Sequence, residues 1–399
     1  CAGVKSFPLW IWRFCMVEAR VVLMRPDSSV IKIENEIISL EAARAENAPG
    51  SFSCVVPYRP GYEQIGPDYT LMIQCRRAGE WTNDLKTTWY VRSESWSVTG
   101  EESGTITLSG HDSFGLLSRR VVAYFGVEDT ELSQNYYSIK NKPSLDALRD
   151  VVRENFTPEV ANVPAEDIPG SVLFLGVASR IMQGISVEDN DELGQVIKAE
   201  FAWANVVDAL STIAAAALEK GDRVIYDLVH DGPGRHTFHC WLGQRGRRLT
   251  DTVVFSPRKG NVATMERKID YSNEVTWLHV AGEGQAKLRL MQAVLADPLL
   301  RTSLYPIEGF FDASSAKNDS DLMTSMGVRE VARRSPRWIF TAEATDSPGT
   351  TFGVDYELGD VVSAHHMGIS APCRIGKVVL KVENSVASYS IPLESEEPI

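Results

Sequence analysis

The chain has 399 residues, 44% of them hydrophobic and 23% charged, with a formal net charge of −13. That length exceeds a single core and predicts two to four domains, and the acidic balance excludes a general affinity for nucleic acid, which relies on clustered Lys and Arg. Six cysteines without any Cys-x-x-Cys spacing (Cys1, Cys15, Cys54, Cys75, Cys240, Cys373) exclude a disulfide framework and read as reduced, mostly buried small hydrophobes.

The longest apolar run, FPLWIWRFC at 7–15, is too short to span a bilayer and is broken by Pro8 and Arg13, so no stable membrane insertion is expected. Residues 1–16 read as an N-terminal arm. The chain opens at Cys1, but the apolar residues behind it are unlike the polar linker of a lipid-anchored terminus; a native start at Met16, directly before the first strand, is the other reading.

Residues 17–125 carry seven period-two segments between Gly and Pro turns: VEARVVLM, VIKIE, IISLEAAR, SFSCVV, YTLMIQCR, TTWYVRSESWSV and GTITLSG. In such a segment Leu71, Ile73 and Cys75 face a core while Thr70, Gln74 and Arg76 face solvent, and the set predicts a small β-barrel or sandwich, with the barrel as the expectation. Gly110 ends the sheet, and HDSFGLLSRRVV opens a short helix with Asp112 or Ser113 as N-cap.

Residues 126–260 read as a middle α/β domain. A linker to about 142 leads to a helix from Pro143 and Ser144 with Leu145, Leu148, Val152 and Phe156 on one face. After the acidic run Glu188, Asp189, Asp191, Glu192 comes a second helix, striped by Trp203, Val207, Leu210, Ile213 and Leu218 and ended by Gly221. RVIYDLVH and RHTFHCWLG then form a strand pair. Period-two alternation returns at 261–284 and 336–395, predicting a second, similar barrel split in sequence by a loop and helix insertion at 285–335. The fold class is therefore mainly β with an α/β insertion: two similar small barrels, a middle α/β domain and a helical insertion. Gly260-Asn261 and Gly359-Asp360, each just before a strand, supply backbone freedom and turn hydrogen bonds, and Phe255 is a core candidate at the junction of the middle domain and second barrel.

The sequence nominates no catalytic, cofactor-binding or metal-ligating residue. His230, His236, His239 and Cys240 invite a metal reading, but a four-residue loop sets His230 opposite Arg235 and turns His236 to the other face. His239, on the face of His230, then lies roughly 13 Å along the strand at about 3.3 Å per residue, beyond one zinc ion. His365-His366 are strand neighbours that point apart. Gly282-Glu283-Gly284, between a strand and an expected helix, has Lys287 where a dinucleotide fingerprint needs its third glycine. Glu308 and Asp312 form the best local carboxylate pair for a glycosidase-like site, against a loop-organising role. Arg245, Arg247 and Arg248 are expected on a hairpin tip with a solvated or interface role.

Five segments, GHDSFGLLSRRVV (110–122), DTVVFSPRKGN (251–261), WLHVAGEG (277–284), IEGFFDA (307–313) and YELGDVV (356–362), together resemble, in that order, the hub proteins of long-tailed bacteriophages (siphophages), within the baseplate-hub and tail-associated proteins. The resemblance covers roughly residues 17–392. It implies a structural virion protein, assembled in the host cytoplasm, that forms a homotrimeric hub at the distal end of the tail. Two similar barrels per subunit would then present six nearly equivalent surfaces to a sixfold tube. Implied partners are further copies of the chain, the tail tube or distal tail protein ring, the tape-measure protein, tail-tip or receptor-binding proteins, and DNA only in transit through the lumen. Many relatives continue into a C-terminal peptidoglycan hydrolase or receptor-binding module, whereas this chain ends soon after its last strand, which implies that separate proteins supply the tip and that the chain is not an enzyme. Two other classes stand beside this one: a tail-tip cell-wall hydrolase using Glu308, Asp312 or the hairpin histidines, and a carbohydrate-binding adhesin using Trp81, Trp89 or Trp96 as stacking platforms.

Overall fold

Alternation of core and solvent side chains sets eight strands in the first tract: β1 (Val17–Met24), β2 (Val30–Glu34), β3 (Ser39–Ala45), β4 (Ala48–Pro57), β5 (Thr70–Arg77), β6 (Glu80–Thr82), β7 (Trp89–Val98) and β8 (Gly104–Asp112). The computed structural model describes residues 17–62, 65–77, 79–98, 104–122, 137–157, 181–201, 203–232, 234–285, 288–296, 304–345 and 347–395. The arm at 1–16 with Cys1 and Cys15, and the linker at 126–136, lie outside the described residues. In β5, Leu71, Ile73 and Cys75 are buried as the alternation requires, and Arg76 is exposed. Thr70, expected outside, is buried, at a position where β5 pairs with both β1 and β7. The expected helix after Gly110 is a 3-10 turn, Ser113–Arg119, whose first turn is capped by Asp112 accepting from Gly115 N–H.

The middle of the chain holds β9 (Tyr137–Pro143), α1 (Ser144–Phe156), β10 (Ile185–Val187), β11 (Val196–Phe201), α2 (Val206–Glu219), β12 (Val224–Gly232) and β13 (Arg235–Leu242). On α1 the face of Leu145, Leu148, Val152 and Phe156 is buried. The stripe expected for α2 is shifted. Asn205 caps the helix through Val207 N–H, so Trp203 stands before it, 51% exposed, and Leu218 is exposed too. Its buried face is Val206, Ala209, Leu210, Ile213 and Ala217, small enough in two positions to lie close against α1 in one apolar core. Residues 137–142, expected in a linker, form the strand that pairs with β11.

The last third contains β14 (Val254–Phe255), β15 (Val262–Ile269), β16 (Trp277–Ala281), β17 (Met291–Leu295), β18 (Glu308–Asp312), α3 (Ser320–Arg334), β19 (Trp338–Ala344), β20 (Val361–His366), β21 (Ile369–Arg374), β22 (Lys377–Glu383) and β23 (Val386–Ser395). Strands of both period-two tracts are hydrogen-bonded into one fifteen-stranded sheet. Ladder neighbours from β22 run through β3, β4, β8, β7, β5 and β1 to β23, and β23 pairs back to β22. The rest of the second tract attaches through β23, which also pairs with β19 and β21. Phe255, fully buried and edge-on to Tyr356 at 5.1 Å, belongs to the same apolar core as Leu71 and Trp89. Alternation identifies a strand but not its sheet: Trp277–Ala281, expected in the second barrel, instead pairs with β17 and β18 in a separate three-stranded sheet packed on α3. Residues 291–295, expected in a helix, are strand β17 of that sheet.

Candidate functional site

Two places concentrate chemistry or unsatisfied surface. The first is the seam where the β12–β13 hairpin docks on the large sheet. Arg44 shares a side of β3 with Leu40 and Ala42, so the strand period drives its guanidinium into the interior. There Nη2 donates to Asp227 Oδ2 at 2.5 Å, Nη1 donates to Leu85 O at 2.7 Å, and Nε lies 3.5 Å from Asp112 Oδ2. Asp112 also accepts from Gly50 N–H at 2.9 Å, and Arg245 closes the network on Asp227. Two guanidiniums therefore meet two carboxylates. Burial alone would raise Asp227; Arg44 and Arg245 hold it below the ordinary carboxylate range. Asp112 is pushed up to about 6 by burial against the pull of Arg44. Asn47, in the turn between β3 and β4, adds an amide clamp: Oδ1 accepts from Tyr226 N–H and Nδ2 donates to Val224 O.

The hairpin register differs from the expectation. A bulge between His230 and Gly232 places His230 opposite His236, not Arg235, and the two rings lie 5.5 Å apart. His239 binds Glu188 instead. Glu188 and Asp191 of the acidic run also hold Arg149 of α1, Asp191 through two bonds of 2.7 and 2.9 Å. Among the described residues no group of three or more His, Cys, Asp or Glu is placed to hold a metal ion. Cys54, Cys75, Cys240 and Cys373 are buried.

The second place is the outer face of the three-stranded sheet. Leu278, Val280 and Val294 point to α3 and are buried. Opposite parity puts Trp277 on β16, Met291 and Leu295 on β17 and Phe310 on β18 in solvent, at 39, 48, 61 and 54% exposure. Glu308 and Asp312 border this face. Glu308 lies 3.5 Å from His279, and Asp312 lies 2.7 Å from Arg289, which with Ser314 holds its carboxyl down to about 2. That is opposite to the raised value of a general acid. Gly282-Glu283-Gly284 joins β16 to β17 as a hairpin, with Gly282 N–H donating to Leu290 O. Next to Gly282, Asn318 and Met323 stand where a Cβ would project.

Trp89 is fully buried and edge-on to Phe52 at 5.6 Å, Trp81 lies under Arg20 at 4.2 Å, and Trp96 packs on Tyr58. Arg245 binds Asp227, and Arg247 donates to Asp360, so this cluster is not a bare basic tip. Asp360 further accepts from Arg247 and Glu357 N–H, and Asn261 bonds both Ser256 N–H and Val254 O, the turn roles expected of both residues. His365 and His366 follow one another on β20. Sequence reading missed the Arg44 network and the apolar face. Their signals were an arginine at a core parity and a strand whose two faces are both apolar.

The whole fold is shared with phage tail proteins. The tail protein from Neisseria meningitidis MC58 superposes with a TM-score of 0.60 at 13% identity, over 95% of this chain and 97% of that one. The 43 kDa tail protein of prophage MuSo2 from Shewanella oneidensis gives 0.60 at 14%, over 94% and 97%. A chain of the Francisella PdpA–VgrG complex gives 0.56 at 10%, over 97% of this chain and 60% of that one. Comparison with curated protein sequences gives no match. By fold, then, the chain is similar to phage tail proteins. It belongs to the family described as Siphovirus ReqiPepy6 Gp37-like protein, which matches residues 23–392, so the resemblance to long-tailed phage proteins stands.

Proposed function

We propose that the chain is a structural subunit of a phage tail hub, in which three copies form a ring that adapts a sixfold tube to a threefold tip and gives DNA a channel. The observation that carries this reading is the apolar face of Trp277, Met291, Leu295 and Phe310, exposed among the described residues, in a chain that shares the tail-protein fold from end to end. These four side chains expose on the order of 450 Å² of apolar surface, at the upper end of what a monomer presents. A standard protein contact takes ~800 Å² from each partner, of which about 60% is apolar. One such face therefore matches the apolar part of one subunit contact, and a second copy of the chain is its occupant. The net charge of −13 suits a conduit, because acidic walls repel phosphate during passage. Tail tube or distal tail ring, tape-measure and tip proteins would bind the remaining surfaces, and the finished location is the virion.

The role is architectural rather than catalytic. Asp312 is tied to Arg289 on an open face, and the hairpin imidazoles are committed to Tyr90, Thr88 and Glu188. Light scattering coupled to size exclusion tests the assembly directly. A trimer mass at micromolar concentration is expected, and a chain that stays monomeric at the highest attainable concentration rejects the ring. Peptidoglycan zymography is expected to show no clearing; clearing lost in Glu308→Ala would make the chain a hydrolase.

A further inference from the structure

The hairpin seam gathers imidazoles where an extra positive charge has no acceptor. His236, 2% exposed, has Nε2 at 2.9 Å from Tyr90 Oη, while its Nδ1 is buried with no partner. His230 faces it across the hairpin and places Nδ1 at 3.1 Å from Thr88 Oγ1. Tyr90 stacks on His111, whose Nδ1 lies 2.8 Å from Asp112 O. A neutral imidazole carries one donor and one acceptor, but an imidazolium carries two donors. Tyr90 can serve one of them. The second N–H of His236 would be buried, charged and unsatisfied.

The surrounding carboxylates are already engaged, and the pull of Asp231 and Asp227 toward a charged His236 is outweighed by burial. From β12, Asp227 is held by Arg44 and Arg245; from β8, Asp112 is held by Arg44 and two backbone N–H groups. Asp68, near Tyr90, is held by Arg119 of the 3-10 turn and Arg92 of β7. Asp231, at the exposed hairpin tip beside the exposed Arg235, accepts from Thr237 Oγ1. Arg44 and Arg119 themselves oppose further positive charge on the imidazoles.

We propose that this seam is an acid-sensitive latch: protons taken up by His236 and His230 loosen the β12–β13 hairpin, with the α/β unit built on it, from β7 of the large sheet. Burial, then the neighbouring His230, brings His236 down to about 4, and burial also lowers His230 and His111, so all three rings are neutral in the closed seam at pH 7. An open seam returns His236 to an ordinary value near 6.5. The open form therefore binds the proton first. Closure is fully favoured above pH 6.5 and is lost as pH falls toward 4. Asp112 works in the opposite sense, since its raised value makes the closed form take up a proton as pH falls through about 6. That contribution is the same in any chain that differs only at His236.

The test is amide hydrogen exchange on the full chain, corrected for intrinsic rates, comparing the parent with His236→Gln, which offers Tyr90 a side-chain amide but cannot titrate. Between pH 7.5 and 5, linkage for values of about 6.5 and 4 gives about 30-fold more seam opening in the parent than in the variant. The increase is expected at Trp89–Val91 and His236–Phe238, with β3 and β4 protected in both. Equal pH profiles in the two chains overturn the latch. If the glutamine chain does not fold, an NMR titration of the His236 ring decides on the parent alone: a midpoint below 5 supports the latch, and one at 6.5 or above rejects it.

Discussion

At the scale of single residues, what holds the α/β unit on the large sheet is a charge network that apolar patterning does not advertise. Arg44, with a side chain 4% exposed, sits between Asp227 and Asp112. Removing one carboxylate leaves a buried guanidinium short of compensation, which typically costs about 3–5 kcal/mol. Asp227→Asn is therefore expected to lower unfolding free energy by about that amount in urea titrations. Loss below about 1 kcal/mol would mean that Asp112 and water satisfy Arg44 without it. The arginine was legible in principle, because Leu40, Ala42 and Arg44 share a strand face. Its partners were not, since Asp227 lies 183 residues away in sequence and only the folded chain brings it near.

Elements were legible where a period runs long and illegible where a single residue resets it. Strands β1–β5, β7 and β8 and helix α1 follow directly from alternation and helical spacing. The histidine register did not, because one bulge before Gly232 slides the hairpin by a residue and brings His236 onto His230. Strand β17 was hidden for another reason: MQAVL is as good a helix segment as a strand, and pairing with β16 decides the matter. Helix α3 packs on that sheet through Gly327, where an added Cβ would stand 2.6 Å from Val280 Cγ2 and 2.7 Å from Val294 Cγ2. Gly327→Leu should therefore lift the helix, at about 1–3 kcal/mol for overpacking. Hydrogen exchange is expected to rise across Trp277–Ala281 and Met291–Leu295 while the fifteen-stranded sheet stays protected. An unchanged pattern would show that the helix has slack to move.

For the whole molecule, the large sheet and the small one answer different needs. The large sheet joins strands from both ends of the chain around one core, and β23 is its hub, bonded to β1, β19, β21 and β22. Such a body resists shear between its halves. The small sheet, by contrast, is covered among the described residues by α3 on one side, and its other face leaves Trp277, Met291, Leu295 and Phe310 in solvent, the face the proposed subunit contact would bury. Leu295→Asp with Phe310→Asp places two charges at the centre of that face, where Leu295 and Phe310 are more than half exposed and make no contribution to the core beneath. Monomer stability in denaturant is expected to change by less than about 0.5 kcal/mol, as for surface substitutions. Self-association is expected to weaken at least tenfold, since burying even one unpaired carboxylate costs more than the 1.4 kcal/mol that a tenfold change represents. Sedimentation of parent and double variant over a concentration series separates the outcomes. If the variant sediments as the parent does, self-association does not run through this face.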